Sequence, residues 1–134
     1  MDKRTKLLES IRLKIDVETQ KASVFELFQS TTLRPILKFQ NELILAVIAN
    51  HLSENKVRFH ELKEEKKDDL IHSVLKKNLA LKNTLLGSII AFFTTDEYLF
   101  YFQNKSEINK RIVELLIKRI SDQKEKMELL QRNI

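Results

Sequence analysis

Glycine and proline are almost absent from this chain, which has one of each in 134 residues. Average proteins contain about 7% glycine and about 5% proline. Tight turns between β-strands depend on these two residues, so their scarcity excludes a β-sandwich or a repeated β-α-β fold. Long helices joined by short polar connectors need few of them. The composition therefore predicts an all-α protein.

Cysteine is also absent, which excludes disulfides and thiol chemistry and is typical of a cytoplasmic protein. The longest apolar run, residues 43–49, is far shorter than the roughly 18 residues that a membrane span requires. We therefore expect a cytoplasmic protein without membrane association. For a chain of 134 residues we also expect one domain, residues 1–134.

The charge is mixed and mildly basic, with a net value of +5 that is spread over both halves of the chain. Lysines occur among glutamates, as in segment 63–67, rather than on a separate cationic arm. A nucleic-acid-binding protein concentrates its basic residues on one face or arm. The charge pattern therefore argues against nucleic acid as a partner.

Apolar spacing predicts a compact bundle of five to six helices. The helix at 33–53, which starts near Pro35, is apolar around most of its circumference, so we expect it to be buried at the centre. A second helix at 79–93 contains Gly87, and the small residues beside Gly87 predict a close crossing with the central helix. The other helices are predicted at 3–21, 64–77, 94–103 and from 107 into the 120s.

Helix ends give more local signals. Thr94 and Glu97 have the spacing of a capping box, which predicts a helix start at Thr94. Asn55 is predicted to end the central helix in a left-handed conformation. The apolar stripe of the last helix weakens after Ser121, so residues 122–134 form either a frayed extension or an interaction segment.

Four aromatic residues follow the capping box within five positions. They cannot all point inward from one short helix, so we expect them to form an exposed contact surface. The four residues are Tyr98, Phe100, Tyr101 and Phe102.

Polar residues interrupt the apolar faces of two helices. A buried amide without a partner costs about 1–3 kcal/mol, so these residues need hydrogen bonds. They either bond to one another or to loop carbonyls, which sets the helix register, or line a pocket for an anion or carboxylate together with nearby basic residues. The predicted ligand site comprises Arg34, Lys38, Gln40, Asn41, Asn83 and Arg111.

No residue pattern predicts catalysis, a metal or a cofactor. His51 and His72 have acidic neighbours, but neither forms the Glu-x-x-His pairs of di-iron bundles or the H-E-x-x-H motif of zinc proteases. We therefore expect a protein that is not an enzyme and that binds no metal and no cofactor.

Three segments resemble a family of small all-helical bacterial proteins of uncharacterised function, some of which are automatically labelled glyoxalase. The segments are FQSTTLRPILKFQNE (28–42), KNTLLGSIIAFFTTDEY (82–98) and NKSEINKRI (104–112). Glyoxalase folds are built from β-α-β modules, which this helical sequence does not provide. The resemblance implies a shared fold and no activity. It also implies importance for Arg34, Gln40, Asn41, Asn83, Glu97, Asn104 and Arg111.

These observations favour a non-enzymatic helical protein that acts by self-association, as a homodimer, or by binding a protein partner. The last helix, 107–134, is the expected contact surface, with the aromatic segment as a second candidate. The first alternative is a small-molecule or anion binder, or an enzyme, that uses the Gln/Asn/Arg cluster. The second alternative is a nucleic-acid-binding protein.

Overall fold

A computed structural model describes residues 2–12 and 23–133, and these residues form helices and turns without any strand. The all-α prediction is confirmed, but the helices are shorter and more numerous than the five to six predicted. In chain order the elements are α1 (Lys3–Ser10), α2 (Val24–Phe28), a π-helical turn (Gln29–Leu33), α3 (Arg34–Phe39), α4 (Asn41–Glu54), a 3₁₀ turn (Phe59–Glu61), α5 (Glu64–Lys77), α6 (Leu79–Ile90), α7 (Thr95–Gln103), α8 (Lys105–Ser121) and α9 (Lys124–Arg132).

Two predicted helix bounds agree closely with the structure, since α5 covers 64–77 and α7 ends at Gln103. The first helix, predicted over 3–21, ends at Ser10. The part of that prediction from residue 13 to residue 21 lies outside the described residues. The predicted helix at 79–93 ends at Ile90.

The chain divides into two compact units. The first unit comprises Met1–Gln40 and Leu86–Ile112, and the second comprises Asn41–Leu85 and Val113–Ile134. Each unit is therefore built from two separate stretches of chain. The expectation of one domain stays a prediction.

In the first unit, α2, the π-helical turn and α3 follow one another without interruption. Pro35 lies in the first turn of α3, and the preceding residue, Arg34, donates its N–H to the Gln29 carbonyl five residues earlier. Proline lacks an N–H, and its ring clashes with the carbonyl four residues earlier. The wide turn accommodates proline there and buries Thr32 and Leu33. Further side chains of the first-unit core are Phe28, Ile36, Leu37, Ile89, Phe93, Ile108 and Ile112.

The buried central helix predicted over 33–53 is not confirmed. The chain forms a turn at Gln40, which ends α3, and α4 starts at the next residue. Leu43 on α4 is 48% exposed, so α4 is buried on one face rather than all round. The buried face carries Ile44, Leu45, Ile48, Ala49 and Leu52.

The end of α4 is defined by a lysine in a left-handed conformation. Lys56 has a φ of 57°. Its N–H bonds to the Ser53 carbonyl at 3.0 Å, and the Val57 N–H bonds to the Leu52 carbonyl at 2.9 Å. These two bonds form a Schellman motif, whose left-handed position usually holds glycine. The prediction that Asn55 takes this conformation is wrong by one residue.

The second unit places α9 beside α4. Three side chains from α9 and the turn before it contact α4 and the loop that follows α4. These contacts occur in the same order along the two segments, so the two helices run parallel. Gln123 bonds to Asn41, Lys126 pairs with Glu42, and Gln131 bonds to main-chain atoms of Val57 and Phe59. Met127 between them is fully buried.

The predicted last helix therefore ends at Ser121, and the segment after it is a separate packed helix. Residues 122–123 form the turn, and α9 then covers 124–132. The sequence predicts that 122–134 is either a frayed extension or an interaction segment, and an interaction role stays a prediction. In the structure Met127 of α9 contributes to the core of the second unit.

The prediction of a close helix crossing at Gly87 is wrong. Gly87 is exposed, and a β-carbon there would meet no heavy atom within 4 Å outside its own helix backbone and its chain neighbours. The buried positions of α6 are Leu81, Leu85, Leu86 and Ile89.

Candidate functional site

Helix α7 begins with the capping box that the sequence predicts. The Thr94 hydroxyl accepts the Glu97 N–H at 3.2 Å, and the Glu97 carboxylate accepts the Thr94 N–H at 2.8 Å. Two N–H groups that a helix start would leave unpaired are thereby satisfied. The reciprocal bonds fix where α7 starts and how it is oriented.

Glu97 has two further partners from distant parts of the chain. Arg12 holds both carboxylate oxygens with its two terminal nitrogens, and Thr32 donates its hydroxyl to the same carboxylate at 2.6 Å. Arg12 also donates to the Phe92 carbonyl at 2.9 Å. Burial raises the pKa of Glu97, but the hydrogen bonds from Arg12, Thr32 and the Thr94 N–H outweigh it, so that the pKa lies below its ordinary value. Glu97 therefore stays ionised and joins α7 to two other segments of the first unit.

One side of α7 faces the core of the first unit. Tyr101 is 3% exposed, and its hydroxyl donates to the Asn109 side chain at 2.7 Å. The Phe100 ring lies 5.0 Å from the Phe28 ring and 6.1 Å from the Phe25 ring. Two of the four aromatic residues that were expected at the surface are thus packed inward. The prediction of a four-residue exposed cluster is wrong for Tyr101 and Phe100.

The other side of α7 is exposed and apolar. Tyr98 is 43% exposed, Leu99 is 54% exposed and Phe102 is 62% exposed. At 100° per residue these positions lie within a 100° sector of the helix. The rings of Tyr98 and Phe102 are 6.3 Å apart. We call these three residues the outer face of α7.

Four of the six predicted ligand-site residues lie in the first unit. Gln40 is buried, and its amide donates to the Ser88 carbonyl at 3.0 Å. Arg111 donates to Glu107 at 3.0 Å and to the Gln29 side chain at 3.2 Å. Its guanidinium lies 5.3 Å from the centre of the Phe25 ring. The other two, Arg34 and Lys38, are exposed.

The remaining two predicted residues lie in the second unit. Asn41 exchanges hydrogen bonds of 2.8 Å and 2.7 Å with the amide of Gln123, and its oxygen also accepts from Arg119 at 3.2 Å. Asn83 is exposed on α6. Asn41 thus joins the start of α4 to the turn before α9.

Two of the predicted amides have side-chain hydrogen bonds, but neither bonds to the other or to a loop carbonyl. Gln40 pairs with a main-chain carbonyl, and Asn41 pairs with another amide. Among the described residues, no buried side-chain nitrogen or oxygen lacks a hydrogen-bond partner. A ligand-binding role for the six residues stays a prediction.

The second unit also contains a cluster of paired charges that the sequence did not single out. Lys67 is 8% exposed, and its amine lies 2.6 Å from Glu128 and 5.5 Å from the centre of the Phe59 ring. Lys124 lies 2.6 Å from Asp68, and both lysines lie 3.3 Å from Glu64. The hydrogen bond to Glu128 raises the pKa of Lys67. The cluster connects α9 to α5 and pairs each of its lysines with carboxylates.

The described residues contain no group of three or more histidine, aspartate or glutamate side chains placed to hold a metal ion. None of the described helices is long and apolar enough to cross a membrane. Comparison of the chain with protein-family models, with curated proteins and with solved structures finds no match in any of the three.

Proposed function

We propose that this protein acts without catalysis, by forming a homodimer through the outer face of α7. The observation that carries the proposal is the exposure of Tyr98, Leu99 and Phe102 side by side on one helix. Burial of apolar surface is the main favourable term in association. Contiguous exposed apolar patches on a folded protein mark interaction sites.

A second copy of the chain fits this face because the charges at the two ends of α7 are complementary. Asp96 is exposed near the start of the helix, and Lys105, two residues after its end, is exposed at the start of α8. In a two-fold interface each patch meets its own copy. In an antiparallel pair of α7 helices, the end of one helix that carries Asp96 would meet the end of the other that precedes Lys105.

The size of the face predicts a weak dimer. A helix of nine residues is about 13 Å long, so α7 alone buries less than the roughly 800 Å² per partner of a standard interface. Tyrosine and phenylalanine nevertheless dominate the energy of small interfaces. We therefore expect a dissociation constant on the order of micromolar to tens of micromolar.

The sequence predicts 107–134 as the first candidate for the contact surface, and the part of it on α9 offers less apolar surface for this role. On α9 the apolar residue Met127 is buried, and Leu129 is 59% exposed. A chain that ends at Ser121 would lose α9 and its contacts with α4. Truncation would therefore damage the second unit, and point substitutions are the better test.

The test is sedimentation velocity of the full chain over a concentration series from about 1 µM to about 1 mM. We expect the wild-type protein to shift from monomer to dimer. The double variant Leu99→Ser/Phe102→Ser should remain monomeric at concentrations at least about tenfold higher. Leu79→Ser is the matched control, because Leu79 is 66% exposed on another helix. Circular dichroism checks that every variant is folded.

Three results would contradict the proposal in different ways. A wild-type protein that is monomeric throughout refutes self-association. A dimer that survives the double variant refutes the outer face of α7 as its interface. A dimer that Leu129→Ser dissociates, while the α7 variant does not, assigns the interface to α9.

A further inference from the structure

The second unit has an open cleft with an excess of positive charge. Its volume is about 540 Å³, and it lies where α4 ends and α9 ends. Among the described residues, three lysine and arginine side chains, one histidine and one side-chain carboxylate line it. The lining residues are Ser53, Lys56, Val57, Arg58, His60, Glu61, Gln131 and Arg132. Without counting His60, these side chains carry two net positive charges.

The single carboxylate does not balance these cations. Arg58 lies 3.4 Å from Glu61, and both side chains are largely exposed, at 75% and 56%. An exposed pair of this kind holds its partners weakly. Lys56 and Arg132 are exposed at the same cleft. Among the described residues, no salt bridge pairs either cation with a carboxylate.

Hydrogen bonds from α9 hold the backbone under the cleft. The Gln131 side chain accepts the Phe59 N–H at 3.2 Å and donates to the Val57 carbonyl. Phe59 is fully buried, so the loop is anchored from below as well. A cleft that is already ordered before binding loses little conformational entropy on binding.

Lysine at position 56 is unfavourable for stability. Its left-handed backbone would suit glycine, because a β-carbon at positive φ crowds the neighbouring carbonyl oxygen. The lysine therefore gives the cleft a third cation at the expense of a better helix end. Together with Arg58 and Arg132 it lines a cleft whose volume exceeds that of one inorganic phosphate.

From these observations we propose that the cleft binds a small molecule with two linked phosphate groups. Arginine forms paired hydrogen bonds to phosphate oxygens, and lysine adds a point charge. We assign Arg58 and Arg132 to hydrogen bonds with the phosphate oxygens. Lys56 adds its charge at the end of α4. This inference does not depend on self-association through α7.

The test uses pyrophosphate as the probe with ¹⁵N-labelled full-length protein. We expect saturable amide shifts centred on residues 56–61 and 131–132. The double variant Arg58→Ala/Arg132→Ala should weaken binding by about tenfold or more. Lys76→Ala/Lys77→Ala removes the same charge from the exposed end of α5 and should change the affinity by less than about twofold.

Two outcomes would overturn the inference. Equal loss of binding in both double variants would show that pyrophosphate responds to net charge and not to the cleft. Tighter binding of a ten-residue oligothymidylate than of pyrophosphate at the same ionic strength would indicate a nucleic-acid surface instead. Retained secondary structure of each variant, checked by circular dichroism, ensures that loss of folding is not mistaken for loss of the site.

Discussion

Gly87 lies in the interior of α6, with its backbone in the ordinary helical region. Glycine in a helix costs about 0.5–1 kcal/mol relative to alanine, because the unfolded chain has more conformations to lose. A close contact could compensate that cost, but a β-carbon at this position would meet nothing within 4 Å outside its own helix backbone and its chain neighbours. Gly87→Ala should therefore stabilise the protein by about 0.5–1 kcal/mol.

Urea unfolding followed by circular dichroism measures this change. We expect a higher midpoint with an unchanged slope, and a rise of a few degrees in the thermal midpoint. Ala80→Gly makes the opposite change at another exposed position of α6 and should lower the midpoint. If Gly87→Ala lowers the stability instead, another molecule or segment must cover this face of α6. That result would contradict the open space around Gly87.

Two further predictions concern a helix end and a buried carboxylate. Lys56→Gly should raise the free energy of unfolding by about 1 kcal/mol in urea titrations, because glycine adopts a positive φ without strain; Asn55→Gly, which lacks the positive φ, should give no such gain. Glu97 has a lowered pKa, so its ionised form adds stability above the unfolded carboxyl pKa of about 4.3, and this contribution is lost as the pH falls through the lower pKa of the folded state. Glu97→Gln should therefore be destabilising near neutral pH, and its difference from wild type in urea titrations should shrink as the pH decreases from about 5 to about 3. A difference that stays constant over this range would contradict the assignment of Glu97 as an ionised partner of Arg12.

Features that depend on neighbouring residues could be predicted from the sequence. The capping box of Thr94 and Glu97 spans four residues, and its bonds form within the first turn of α7. Helix α5 starts with acidic residues and ends with Lys76 and Lys77, which suits the helix dipole, and its predicted bounds are correct. These signals are short-range, so they do not require knowledge of the fold.

Features that depend on distant residues could not be predicted. The chain turns at Gln40, whose side chain bonds to a carbonyl 48 residues later. The Arg12–Glu97 pair joins residues 85 positions apart. Periodicity indicated apolar residues on all sides of segment 33–53, but it could not show that Leu43 points outward. The prediction at Gly87 failed for the same reason, because spacing cannot tell an exposed row of small residues from a buried one.

The clamp that Gln131 forms on the loop after α4 has a consequence for synthesis of the chain. Its amide bonds to Val57 and Phe59, more than 70 positions earlier. During translation, this loop therefore lacks its partner until residue 131 has left the ribosome. The second unit, which needs residues 41–85 and 113–134 together, must complete its folding after the first unit has all of its residues. Vectorial synthesis thus imposes an order on folding that refolding from denaturant does not.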